Sequence, residues 1–323
     1  MSPNPSIPVL GAGEVADFGY PRAVHALERA LRDGLDPAAD PARSTVEFGA
    51  GTSMLVMPSI GATSAGVKVL TANPDNPRSG FPLFQGLYLL FDQPTLTPSA
   101  VLDGAALTTL RTPAMSIAAV RPALRTFDHP LRVVIFGLGP QGVGHFAALT
   151  EVAAADGDFP LPEQVTFVTR SEPATLPSRT GIRVGHVGAD SPEIARVLSE
   201  ADVVVCATSS PVPLFDDALL REDSVTIVVG SHRPDEAQVD PGFCARATVI
   251  VEDVAAALRE SGPVVQAQRS GALRVDDLVP VTRAVKPATD ALAGGRPVLF
   301  SGFGMAWQDR VVATAIARAR YGN

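Results

Sequence analysis

Val133-Val134-Ile135-Phe136-Gly137-Leu138-Gly139-Pro140-Gln141-Gly142 constrains the fold of this chain more than any other stretch. An apolar, largely β-branched run passes straight into a glycine turn, and a helical pattern over 145–155 follows. Gly137, Gly139 and Gly142 stand at G-x-G-x-x-G spacing. In that setting the first glycine permits a tight turn, the second lets backbone approach a pyrophosphate, and the third lets helix pack on strand. Unpaired N–H groups at the helix start then face the anionic phosphates. A dinucleotide site is the expectation.

Downstream of this turn, strand-like runs at 165–169, 181–187, 202–207, 224–229 and 247–251 alternate with helical stretches at 192–200 and 253–261. That rhythm predicts a doubly wound parallel sheet. The first third reads otherwise. A helical period over 14–32, interrupted by Pro21, precedes short β-like runs at 43–48, 54–57, 66–71, 83–91 and 99–102, with a Pro/Asn/Gly-rich loop at 72–80. Residues 105–124 are helical in character, and Thr112-Pro113 reads as an N-cap with proline at N1 or as a kink. Either places Arg111 at a helix break. An amphipathic helix over 304–321 is expected to return to the first domain. The fold class is therefore α/β: a Rossmann doubly wound parallel sheet over 126–302, beside an α+β domain made of 1–125 with 303–323.

A net charge of −8 over 323 residues, with no basic stripe to offset it, argues against nucleic acid. Cys206 and Cys244 are the only cysteines, too few for a disulfide framework and without neighbours that suggest a metal. The first ten residues lack the layout of a signal peptide, and no 18-residue apolar run suggests a membrane span, so a cytoplasmic protein is expected.

Three cations draw notice, Arg43, Lys68 and Arg111, each flanked by apolar or small residues. Lys68 lies within Ala65-Gly66-Val67-Lys68-Val69-Leu70, where burying a cation without an anion is costly. Spacing alone leaves a solvent-facing or salt-bridged reading open for each.

The ordered set Met57-Pro58, Val67-Lys68-Val69, Gly80-Phe81-Pro82, Leu102-Asp103-Gly104, Arg111-Thr112-Pro113-Ala114, Gly137-Leu138-Gly139-Pro140-Gln141, Gly230-Ser231-His232-Arg233-Pro234, Leu258-Arg259-Glu260-Ser261-Gly262 and Gly304-Met305-Ala306-Trp307-Gln308-Asp309 resembles the ornithine cyclodeaminase and μ-crystallin family over nearly the whole chain. The resemblance implies a homodimer whose first domain, completed by the C-terminal helix, builds the interface and the substrate pocket. It also implies that Arg43, Lys68 and Arg111 bind a substrate carboxylate, with Lys68 close to the chemistry. Cations of this kind, one offering a bidentate fork, would hold an α-carboxylate beside a nicotinamide. Expected cofactor contacts are Thr112, Gly137, Leu138, Gly139, Pro140, Gln141, Thr169, Arg170, Ser171, Ala207, Thr208, Gly230, Ser231 and Ser301. Leu55, Leu83, Phe84 and the 72–80 loop are expected to shape the side-chain pocket.

Two departures separate this chain from true cyclodeaminases. Those enzymes carry an aspartate where His232 stands here, and a glutamate just before Met-Pro where this chain has Met54-Leu55-Val56. Without either acid an ornithine ammonium has little to bind. His232 is instead a candidate to protonate or orient an imine nitrogen; the alternative is a histidine bonded to backbone in the turn after strand 224–229. His25, His129, His145 and His186 read as surface or packing residues. Thr169-Arg170-Ser171, at the end of the second Rossmann strand, favours NADP(H) over NAD(H), because an arginine there accommodates a 2′-phosphate. The leading expectation is an NADPH-dependent reductase of a small cyclic or linear α-imino carboxylate, or an amino-acid dehydrogenase in reverse. Ornithine or lysine cyclodeamination, and a non-catalytic NADPH-binding crystallin-like role, are the alternatives.

Overall fold

The computed structural model describes residues 6–231, 233–286 and 295–322. The chain forms two units, Met1–Ala30 with Asp36–Arg111 and Met305–Asn323, and Leu31–Leu35 with Thr112–Gly304.

In the first unit, strands β1 (Val9–Leu10), β2 (Ser44–Gly49), β3 (Thr52–Ile60), β4 (Ser64–Ala72), β5 (Phe84–Asp92) and β6 (Thr97–Asp103) form one sheet in the order β1-β6-β5-β4-β3-β2. Strands β2 to β6 are joined antiparallel in succession, and β1 adds parallel to β6. Side chains alternate between faces. Met57, Ser59, Gly66, Lys68, Leu70, Tyr88 and Leu90 share the buried face, and the C-terminal helix Ala306–Tyr321 lies across β3, β4 and β5 there. Gly66 is obligatory, since a Cβ at that position would sit 2.2 Å from the Tyr88 hydroxyl. The opposite face carries Val46, Val56, Val67, Val69, Leu87 and Leu89 and is only partly covered.

The second unit is an eight-stranded parallel sheet of β7 (Leu131–Phe136), β8 (Pro162–Thr169), β9 (Arg183–Gly188), β10 (Val203–Cys206), β11 (Val225–Val228), β12 (Thr248–Val251), β13 (Val279–Pro280) and β14 (Val298–Ser301). Their order is β13-β12-β14-β11-β10-β7-β8-β9. Strands β10, β11 and β14 are buried throughout, as expected of parallel strands covered on both faces. The strand order reverses between β7 and β10, which is the switch point where doubly wound sheets bind their ligands. The expected α/β architecture of a Rossmann sheet and a separate, largely antiparallel unit is what the chain adopts.

Three details differ from the sequence reading. Arg111 is not at a helix break: Gly104–Leu124 is one helix of 21 residues with Pro113 and Pro122 inside it. The Asp103 carboxylate, accepting from the Ala106 N–H at 2.8 Å, marks its start. A proline inside a helix costs about 3 kcal/mol, and burial of Leu107, Leu110, Ala114, Met115, Ile117, Ala118 and Val120 along the same helix outweighs that. Second, β1, β13 and β14 are additional strands, and β14 inserts between β11 and β12. Third, the predicted N-terminal helix is two helices, Ala12–Ala16 and Tyr20–Arg32, separated at Gly19 with φ +78°. Among the described residues no helix is long and apolar enough to cross a membrane.

Candidate functional site

Lys68 projects from the buried face of β4, opposite Met57 on β3 and Tyr88 on β5. Its ammonium donates to Asp309 Oδ2 at 2.8 Å and to Thr108 Oγ1 at 3.2 Å. Arg111 donates through Nε to Asp309 Oδ1 at 3.3 Å and through Nη1 to Gln308 Oε1 at 2.9 Å. Lys68, Arg111, Gln308 and Asp309 are all buried. Arg43, half-buried just ahead of β2, lies within electrostatic reach of the Lys68 ammonium. Of the three cations singled out from the sequence, Lys68 and Arg111 therefore converge on a single carboxylate, and Arg43 acts electrostatically on Lys68.

Desolvation by burial is the main force on Lys68 and lowers its pKa to about 8; Asp309 pulls it upward, while Arg111 and Arg43 push it down. A lysine held near 8 exchanges its proton in the physiological range, which an exposed lysine does not. Asp309 carries one negative charge against the two cations it bonds, so the cluster retains positive charge suited to a second carboxylate.

The cluster is completed by the first turn of the C-terminal helix. Trp307, Gln308, Asp309 and Arg310 are consecutive and all buried, and each of the last three has a fixed partner in the first unit. Arg310 donates to Ser59 Oγ at 2.8 Å, and its guanidinium occupies the space beside Gly61 that a Cβ would need. Thr314 Oγ1 meets Ser64 Oγ at 2.8 Å one turn on. Gln308 and Asp309 complete the cluster and were not singled out as site residues from the sequence. The available signal was the Gln308-Asp309 pair on a face that otherwise reads as apolar.

In the second unit the three glycines of the turn differ in what surrounds them. Gly137 has φ +98°, and a Cβ there would stand 2.5 Å from the Ala207 carbonyl. At Gly142 a Cβ would meet the Gly137 carbonyl at 2.0 Å, so helix and strand touch there. A Cβ at Gly139 would meet no atom of the protein within 4 Å. No packing contact demands that glycine, which is what a backbone approached by a ligand requires. The helix Pro140–Asp156 begins at Gly139 with no side-chain cap and no acidic residue in its first turn, leaving its N–H groups to an anion. The residues present fit a dinucleotide pyrophosphate.

The other expected cofactor residues gather at the carboxyl ends of neighbouring strands: Thr169, Arg170 and Ser171 at β8, Ala207 and Thr208 after β10, Gly230 and Ser231 after β11, and Ser301 at the end of β14. Gln238, fully buried and not foreseen, ties two of these loops together. Its Nε2 donates to the Thr208 carbonyl at 2.5 Å and its Oε1 accepts from the Gly230 N–H at 3.1 Å. The hydroxyls of Ser231 and Ser301 face inward, to the Glu236 carbonyl and to Ser261 Oγ. Thr112 sits within the long helix, its carbonyl 3.1 Å from Ser116 Oγ. Arg170 is exposed. His232 lies outside the described residues. His145 is a buried packing residue, Nδ1 donating to the Gln141 carbonyl at 2.7 Å and Nε2 meeting Ser116 Oγ at 2.9 Å, and burial lowers its pKa to about 4.

The sequence pattern of the Ornithine cyclodeaminase/mu-crystallin family matches residues 19–321. The chain belongs to this family. Within it, the chain is 28% identical to Delta(1)-pyrroline-2-carboxylate reductase 1 of Burkholderia multivorans, covering 94% of this chain and 92% of that one. It is 30% identical to Delta(1)-pyrroline-2-carboxylate reductase of Bacillus cereus, over 74% of this chain and 72% of the relative. The solved Delta(1)-pyrroline-2-carboxylate reductase of Thermococcus litoralis, in complex with NADH and L-proline, superposes with a TM-score of 0.78 at 19% identity, covering 98% of each chain. That likeness shows the cyclodeaminase/crystallin fold.

Proposed function

We propose that this chain is a nicotinamide-dependent reductase of small α-imino carboxylates, cyclic imines such as Δ1-pyrroline-2-carboxylate among them, and the corresponding amino-acid dehydrogenase in reverse. The observation that carries this reading is the buried convergence of Lys68 and Arg111 on Asp309, with Arg43 in electrostatic reach. The named relatives in the family, reductases of just such imines, support it.

In this reading Arg111 and Arg43 take the substrate carboxylate, Arg111 through its planar fork. Lys68, with its proton leaving at about 8, shares that proton with the substrate nitrogen. Gln308 and Asp309 fix Arg111 and Lys68 from behind, so neither must reorganise as charge develops. When bound, the reduced nicotinamide supplies a hydride to the carbon bearing the carboxylate. The C=N bond becomes a C–N bond, and the nitrogen keeps the proton. The first unit is accordingly the substrate unit and the second the cofactor unit. The exposed Arg170 at the end of β8 supports NADP(H) as the preferred carrier, since its guanidinium suits a 2′-phosphate.

Cyclodeamination of ornithine or lysine lacks a partner for the distal ammonium, because β3 (Thr52–Ile60) contains no acidic residue. The partly covered face of the first sheet supports a homodimer. Val46 and Leu87 are half exposed and adjoin Val56, Val67, Val69 and Leu89 in a contiguous apolar area.

The test is a spectrophotometric screen of NADPH and NADH oxidation against cyclic imino acids, and against keto acids with and without amines, alongside ammonia release from ornithine and lysine. Turnover of an α-imino carboxylate is expected. Ammonia release without net nucleotide oxidation, or nucleotide binding with no turnover on any substrate, overturns the reading.

A further inference from the structure

His186, on β9 beside Phe167 of β8, reaches past its register partner to the end of the neighbouring strand. Its Nε2 lies 2.8 Å from Thr169 Oγ1, and that hydroxyl lies 2.5 Å from the Ser171 carbonyl. A carbonyl can only accept, so the one hydroxyl proton of Thr169 goes to Ser171. Nε2 of His186 must then be the donor to Thr169. The result is a directed chain from imidazole N–H to hydroxyl to carbonyl, and it closes the turn Thr169-Arg170-Ser171. Thr169 spends its one hydroxyl proton inside the protein, while Arg170 and the Ser171 side chain are both exposed to face a ligand.

We propose that His186 is a specificity-determining positioning residue for the 2′-phosphate of NADP(H), acting through Thr169 on the Arg170–Ser171 turn. This rests on the NADP(H) reading of Arg170. Arginine recognises phosphate through a planar fork whose two bonds must point the same way, so the turn's geometry matters as much as the charge. With the imidazole donor removed, Thr169 is no longer held from β9, the Ser171 carbonyl loses its fixed partner, and the guanidinium loses its preset direction. Ligands without a 2′-phosphate do not use that direction.

The experiment is calorimetric titration of adenosine 2′,5′-bisphosphate and of 5′-AMP into the wild type and into Arg170→Ala, His186→Met, His186→Gln, Thr169→Val and the His186→Met/Thr169→Val double variant, with melting temperatures recorded for each. Methionine fills the imidazole's space without donating, whereas glutamine keeps a donor. The wild type is expected to prefer the bisphosphate. His186→Met and Thr169→Val are each expected to lose about tenfold of that preference, the scale of one hydrogen bond. The double variant should lose no more than either single one, and His186→Gln should recover most of it. Affinity for 5′-AMP should stay within about twofold in His186→Met and His186→Gln. Selectivity lost in Arg170→Ala but retained in His186→Met overturns the role of His186 and leaves the cofactor reading standing. Equal losses for both ligands reduce His186 to a structural tie and also overturn it. A wild type without preference for the bisphosphate overturns the NADP(H) reading itself.

Discussion

Asp309 and Lys68, 241 residues apart in sequence, meet in a 2.8 Å charge-assisted hydrogen bond with both side chains withdrawn from water. The same carboxylate faces Arg111, so one acid fixes the aim of both cations. Asp309→Asn removes the influence that holds the Lys68 pKa up while leaving desolvation and Arg111 in force. The basic limb of the pH–rate profile should therefore move to lower pH, and turnover at the wild-type optimum should fall about tenfold or more. Stability should fall by about 3 kcal/mol, because two buried cations lose their counterion. A pH profile identical to wild type would remove Asp309 from the mechanism.

The glycine turn offers a pair of substitutions that separate packing from binding. Gly142→Ala drives a Cβ into the Gly137 carbonyl, so a clear drop in melting temperature is expected. Gly139→Ala meets no protein atom, so the melting temperature should stay close to wild type while nucleotide affinity falls about tenfold or more. Undiminished NADPH and NADH binding by Gly139→Ala would mean that the pyrophosphate lies elsewhere.

His145 gives the fold a defined acid sensitivity. Its pKa is 6.5 when unfolded and about 4 when folded, with burial as the cause, so above 6.5 both states hold it neutral and its contribution is fully present. Below 6.5 the unfolded chain takes up a proton that the folded chain refuses, and stability falls as the pH descends toward 4. The loss amounts to about 3 kcal/mol at most. His145→Gln should flatten this segment of the denaturation-versus-pH curve, and a variant curve parallel to wild type would assign the sensitivity to other groups.

The uncovered face of the first sheet makes a prediction about assembly. Leu87→Glu places a charge in the middle of the apolar area without touching the Lys68 face, since Leu87 points to the opposite side of β5 from Tyr88. Self-association should weaken at least about 30-fold, the effect of losing a buried interface anchor. Light scattering across a concentration series reads it. An unaltered oligomer would move the interface to another surface.

Much of the scaffold could be read from residues alone, because its signals are local. Val133 to Gly142 announces strand, turn and helix within ten residues, and the later apolar runs repeat the rhythm. Strand β14 escaped because Val298-Leu299-Phe300-Ser301 is short, apolar up to Ser301 and without periodicity. Pro113 suggested a helix break because local chemistry favours one; the burial that keeps the helix whole is tertiary and cannot be seen in the string. The same limit applied to the site. Lys68 and Arg111 stood out as isolated cations, whereas Asp309 became meaningful only when the C-terminal helix was laid across β4. His186 was hidden for a related reason: its partner Thr169 is on the next strand, 17 residues away.

Gly66 and Tyr88 carry a consequence for how such a chain can drift over generations. The tyrosine ring lies where a side chain at position 66 would be, one strand over from Lys68. Any larger residue at 66 expels the ring, and any smaller residue at 88 opens a void beside Gly66. Descendants that keep the chemistry must change the two positions together or not at all.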